Sequence, residues 1–215
     1  MYNLPYHKEK DPQVIREFID QYPFAFLTGC NSANEPVATQ IPIFLEEQNG
    51  KQFLRGHLMK NTDHHKAFQY NKNVLVVFTG RHTYVSGTWY SNPYSASTWN
   101  YMSVQMKGKI QFLNEEALEA VLRKTSLYFE NNNFQSTTAF DNLPMEFKQR
   151  VVKAIVGFEI EILEMDHVFK LSQDRDYESY INIIQKLQEQ GFDGQVIAAE
   201  MQKRTHELFP ARQKS

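Results

Sequence analysis

The sequence predicts an α+β protein in which six or so mainly antiparallel strands form a barrel, with peripheral helices and a C-terminal helical pair. Three observations carry this. Runs rich in β-branched and aromatic residues recur between Phe24 and Met165, separated by short Asn, Gly and Ser clusters. Apolar residues at helical spacing, preceded by capping residues, occur before the first strand, after Asn114 and again from Asp176. No internal repeat, long linker or compositional break divides the 215 residues, so the chain reads as a single domain, 1–215.

Taken in order, Asp11-Pro12 supplies an N-cap and a first-turn proline ahead of Val14, Ile15, Phe18, Ile19 and Tyr22, which predicts the first helix. Phe24–Thr28, Pro36–Leu45 and Gln52–Leu58 read as a three-stranded meander with turns at Asn31-Ser32-Ala33-Asn34 and Gln48-Asn49-Gly50. Asn61-Thr62-Asp63 can cap a short helix carrying Ala67, Phe68 and Tyr70. A strand follows at Val74–Phe78, with a continuation at Tyr84–Ser86; Gly87–Ser97 reads as an excursion. Tyr101–Leu113 is the next strand, Asn114 caps a helix marked by Leu118, Val121, Leu122 and Leu127, and Pro144 leads into a helix near Met145–Lys153. Val156–Met165 is the last strand. Two helices, Asp176–Gln190 and Gly194 to Phe209, span about 174–209 and pack on the barrel or on a partner subunit.

Composition narrows the function classes. With 41% hydrophobic and 22% charged residues, 9 Gly and 8 Pro, the chain is an ordinary globular protein. A lone Cys30 excludes an internal disulfide and reads as a structural thiol at a strand end; with no signal-peptide pattern and no long apolar run, a cytoplasmic location and no membrane partner are expected. The net charge of −2 gives no general drive towards nucleic acid. Charge is uneven, however: seven basic residues between Arg55 and Lys109 face Asp63 alone, a local +6 against −8 elsewhere. The same stretch holds Trp89, Trp99, Tyr84, Tyr90, Tyr94 and Tyr101. Cations beside aromatic faces suit a flavin, a nucleotide or single-stranded nucleic acid, and equally a solvated sheet face over buried aromatics.

Seven histidines include His57 and the pair His64-His65, but the spacing matches no metal motif, so no metal is expected. There is no dinucleotide glycine fingerprint and no Walker loop. The helical pair around Gly191-Phe192-Asp193-Gly194, with Lys203, Arg204, Arg212 and Lys214, is the one candidate for DNA contact, and Glu200 and Glu207 dilute its charge. Arg55-Gly56-His57, then Lys60, then Asn61-Thr62 at a helix start would offer an anion a cation, a hydroxyl and backbone N–H groups. Alternatively, Thr62 is a cap and Lys60 is solvated.

These residues form a recognisable set. Met1-Tyr2-x-x-Pro5-x-His7, Glu35-Pro36-Val37-Ala38-Thr39-Gln40-Ile41-Pro42, Gly56-His57-x-x-Lys60-x-Thr62, Tyr84-Val85-Ser86-x-x-Trp89-Tyr90, Thr98-Trp99-Asn100-Tyr101-x-x-Val104-x-x-x-Gly108-Lys109 and Lys170-Leu171-Ser172-Gln173 resemble the PaiB family from Met1 to about Gln202. The resemblance implies an FMN-binding split β-barrel related to pyridoxamine 5′-phosphate oxidase, a homodimer holding FMN between subunits, and a role as a negative transcriptional regulator. By that analogy Thr39, Gln40, Ile41 and Pro42 run beside the isoalloxazine ring, and His57, Lys60, Thr62 and His64 hold the phosphate. Ser86, Trp99 and Asn100 complete the site. The family pattern has histidine where Gln40 and Gln105 stand and Asn-Pro in place of Thr62-Asp63; Asp63 competes with a phosphate for the same helix dipole. Weak flavin-dependent redox activity, a flavin-sensing repressor and a structural dimer with a vestigial site are the functions this leaves, and no residue stands out as an acid or base.

Overall fold

Most helix starts are set by a side chain that takes up a free backbone N–H. Asp11 Oδ1 accepts from the Gln13 N–H at 2.8 Å and opens α1 (Pro12–Gln21), with Pro12 in its first turn. Thr62, Asn114 and Asp176 likewise cap α2 (Asp63–Tyr70), α3 (Glu115–Phe129) and α5 (Tyr177–Gln188). Helix α4 (Met145–Ala154) follows Pro144, and α6 (Phe192–Leu208) follows Gly191, two residues ahead of the predicted start at Gly194. The computed structural model describes residues 2–92 and 94–210, so Met1 of the N-terminal motif and Arg212 and Lys214 of the C-terminal basic cluster lie outside the described residues.

The strands are β1 (Phe24–Cys30), β2 (Pro36–Gln48), β3 (Lys51–Met59), β4 (Asn73–Val85), β5 (Thr98–Phe112) and β6 (Ile155–Lys170). They close an antiparallel barrel in the order β1-β2-β3-β6-β5-β4. Asn49 and Gly50, at φ 54° and 72°, make the left-handed turn that matches the twist of the β2–β3 hairpin. Strand β4 runs unbroken through a polar stretch, across which its buried positions switch from Val74, Val76 and Phe78 to Thr83 and Val85, leaving Arg81, His82 and Tyr84 exposed. Strand β6 outlasts Met165 by five residues: Val168 and Phe169 are buried, and Lys8 pairs with Asp166. Cys30 ends β1 opposite Pro36 and is only half-buried.

The chain divides into two compact units. One comprises Arg16–Phe78 and Gln105–Met165. Leu27, Ile43, Leu54, Phe68, Phe78, Phe158 and Ile160 fill its core, and Leu118, Leu122, Phe140, Val152 and Ile155 form a second cluster. Gly56 is required there, since a Cβ would lie 2.7 Å from the Phe158 ring and 2.8 Å from the Pro42 carbonyl. The other unit comprises the described residues of Met1–Ile15, Thr79–Val104 and Asp166–Ser215. In it α5 and α6 pack through Tyr180, Ile183, Leu187, Ile197 and Met201, with the Tyr180 hydroxyl donating to the Met201 carbonyl at 2.8 Å. Lys203 and Arg204 of α6 are paired with Glu200, and Arg204 also with Glu9, so these two cations of the proposed DNA-contacting pair serve internal links.

Candidate functional site

Thr39–Pro42 lies on β2 with its ladder to β1 complete: Thr39 faces Leu27, Gln40 faces Phe26, Ile41 faces Ala25 and Pro42 faces Phe24. Strand β3 joins β2 only from Ile43, opposite Gly56. The Ile43 N–H donates to the Pro23 carbonyl at 2.8 Å, which fixes the parity of the strand: odd-numbered backbone groups point to β1. The N–H and C=O of Gln40 therefore point to the edge that β3 has not yet reached, whereas the Pro42 carbonyl already lies against Gly56 of β3. The Gln40 side chain is exposed, and those of Thr39, Ile41 and Pro42 are half-buried. This edge offers backbone donors and acceptors beside apolar side chains, as the polar rim of a planar heterocycle requires.

The four residues expected at the phosphate are placed differently. Lys60 turns to the end of α4: its N–H donates to the Ala154 carbonyl at 2.9 Å and its Nζ to the Lys153 and Val152 carbonyls at 3.2 and 3.4 Å. A cation at a helix C-terminus is favourable there. Thr62 Oγ1 accepts the His65 N–H at 3.3 Å, donates to the Met59 carbonyl at 3.0 Å and lies 3.0 Å from His64 Nε2. Asp63 Oδ1 accepts from the His64 N–H at 2.7 Å and lies 3.0 Å from His64 Nδ1. The backbone bond from His64 holds the Asp63 carboxyl below the usual carboxylate range. His65, outside the set expected at the phosphate, accepts the Asn61 N–H on Nδ1 at 3.1 Å, and Asn61 has a left-handed φ of 66°. Burial pushes the His65 and His57 imidazoles below 6.5, so each is held neutral; His57 Nδ1 is buried without a hydrogen-bond partner. Arg55, the other cation of this run, is bound by Glu159 and Glu46 rather than left for a ligand.

Ser86, Trp99 and Asn100 belong to the other unit. Ser86 caps a single 3-10 turn, Gly87–Trp89, accepting from the Thr88 N–H at 3.3 Å. Trp99 is 52% exposed and meets Tyr84 edge-on at 6.0 Å and His82 at 5.8 Å. Thr79, Gly80, His82, Trp99, Tyr101 and Met102 line a cleft of about 320 Å³ beside this cluster. Asn100 is fully buried: it accepts from Ser172 Oγ at 3.0 Å and donates to the Met201 sulfur at 3.4 Å. It therefore anchors the Lys170–Gln173 turn, where Ser172 has φ 60°, and is not part of an accessible surface. Lys170 Nζ, not assigned a role from sequence, donates to the Trp99 carbonyl at 2.7 Å and fixes the strand that carries the indole. Strand alternation was the available signal, since Trp99 and Tyr101 share one face and Asn100 takes the other. Among the described residues no group of three or more His, Cys, Asp or Glu gathers to hold a metal, and no helix is long and apolar enough to cross a membrane.

The closed six-stranded antiparallel barrel with its helical pair defines an α+β protein of the split-barrel fold. Solved structures of that shape include the FAD and heme binding protein from Mycobacterium smegmatis (TM-score 0.56, 15% identity, 75% of this chain and 72% of that one). The flavocytochrome Anf3 from Azotobacter vinelandii is another (TM-score 0.53, 16% identity, 84% and 78%). The chain belongs to the family described as "Putative FMN-binding domain", which matches residues 1–164. It is similar to the protease synthase and sporulation protein PAI 2 of Bacillus subtilis, with 29% identity over 188 residues, covering 87% of this chain and 89% of that protein. The PaiB resemblance carried by its motifs is thereby borne out.

Proposed function

We propose that this protein is a flavin-binding split barrel of PaiB type that holds the isoalloxazine ring along the Thr39–Pro42 edge of β2. The observation that carries the reading is the outward-pointing backbone of Gln40 on a strand whose second neighbour starts only at Ile43, in a chain of an FMN-binding family. The flavin supplies redox chemistry when bound. The chain's own part is to orient its ring: Gln40 offers one N–H and one C=O, and the half-buried Ile41 and Pro42 offer apolar contact. The ring end thus fits the residues present, whereas the phosphate end does not, because Lys60, Thr62 and His64 are committed elsewhere and burial lowers the proton affinity of His57.

The functional form is a homodimer. Phe24 and Phe26, 56% and 42% exposed, stand on β1 directly opposite Pro42 and Gln40, and a second subunit would cover them. Incubation of the purified protein with excess FMN, followed by gel filtration with visible detection and light scattering, tests both statements. Stoichiometric flavin absorbance in a peak of twice the chain mass is expected. A colourless protein peak would overturn the flavin reading, and a monomer mass would overturn the dimer.

A further inference from the structure

We propose that Asp63 closes the head of α2 to phosphate, so that this chain selects a flavin by its ring without regard to the 5′-phosphate. The inference rests on the flavin reading above. A helix head attracts an anion because its first N–H groups lack partners and carry the positive end of the dipole. Here the chain fills that role itself. The His64 N–H goes to the Asp63 carboxylate and the His65 N–H to Thr62 Oγ1. The Thr62 hydroxyl is engaged by the Met59 carbonyl, and the Asn61 N–H by His65 Nδ1.

Two cationic contributions expected at this place are also withdrawn. Lys60 Nζ lies against the last carbonyls of α4, and His57 is held neutral by burial. A phosphate dianion would therefore meet the Asp63 carboxylate beside three backbone N–H groups, of Asn61, His64 and His65, that the chain already engages. Like charges at this range disfavour binding even when exposed. The ribityl hydroxyls of riboflavin meet no such conflict.

The test compares riboflavin and FMN affinities for the wild type, Asp63→Asn and Lys60→Ala by quenching of flavin fluorescence. Inorganic phosphate is added separately in thermal unfolding at constant ionic strength. The wild type should bind the two flavins within about threefold of one another and gain no saturable stabilisation from phosphate. Asp63→Asn keeps the oxygen that caps His64 and should shift the ratio towards FMN by about threefold or more. Wild-type preference for FMN of about tenfold or more, lost in Lys60→Ala, would overturn the inference while leaving the flavin reading intact. If neither flavin binds, the flavin reading falls and the phosphate arm decides: saturable stabilisation of the wild type overturns phosphate exclusion, and its appearance only in Asp63→Asn supports it. An Asp63→Asn protein unchanged in both ratio and phosphate response overturns the role of Asp63.

Discussion

Along Thr39–Pro42 the backbone of Gln40 points away from β1, and β3 joins the sheet only at Ile43; at the head of α2 each of the N–H groups of Asn61, His64 and His65 already has an acceptor from the chain. Both regions belong to the same unit and both were expected to touch one cofactor. The first leaves the Gln40 backbone without a second ladder, while the second has its Asn61, His64 and His65 donors engaged by the chain. An anion-binding helix head is recognised by unused donors, not by the presence of Lys, Thr and His in order.

The largest expected effect breaks the idea that the basic run on β3 faces a ligand. Arg55 is held by Glu159, itself only 8% exposed, and by Glu46 at 2.9 Å; Gln111 also donates to Glu159 at 3.0 Å. Arg55→Ala strands that carboxylate and should cost about 3–5 kcal/mol in urea unfolding. A loss within about 0.5 kcal/mol would return Arg55 to the ligand-facing surface.

Acidification acts next. Burial holds His7, His57 and His65 below 6.5, and nearby Lys170 adds to the effect at His7. Below pH 6.5 the unfolded chain binds protons that the native protein refuses. Stability is thus complete above that pH and is lost as pH falls towards the lowered native values. The urea midpoint should drop between about pH 7.5 and 5.5, and His65→Gln should shallow the drop. A flat midpoint would show that these imidazoles do not resist protonation.

Gln40→Pro sharpens the contrast from the other side. Its N–H faces the unpaired edge, so proline removes a ligand contact and no ladder bond. Flavin affinity should fall about tenfold with little change in unfolding midpoint. An unaltered affinity would move the flavin off this edge. The smallest effect is Lys60→Ala, which removes a partly solvated cation from the α4 C-terminus and should cost about 0.3–1 kcal/mol, read from the thermal midpoint.

Most of the fold was legible because its determinants are local: Asp11, Thr62, Asn114 and Asp176 cap helices where the sequence puts them, and Asn49-Gly50 turns the hairpin. The continuation of β6 was not, because Asp166 and His167 are polar and are held in the strand by the distant N-terminal segment. Lys8 pairs with Asp166, and the Glu9 N–H donates to His167 Nε2 at 3.0 Å. The resemblance singles out Thr39–Pro42, and the register adds which of its backbone groups face away from β1. The role of Lys60 depends on the end of a helix far away in sequence, which no local pattern carries. Asn100 was misplaced for a simpler reason: coupling it to Trp99 as one motif ignored the alternation that turns its amide into the core.

Amide hydrogen exchange with and without riboflavin, resolved at single residues, tests most directly the claim that the β2 edge is open and the α2 head closed. The Gln40 amide should slow on binding while those of Asn61, His64 and His65 are unchanged. Slowing at the α2 amides with none at Gln40 would contradict it.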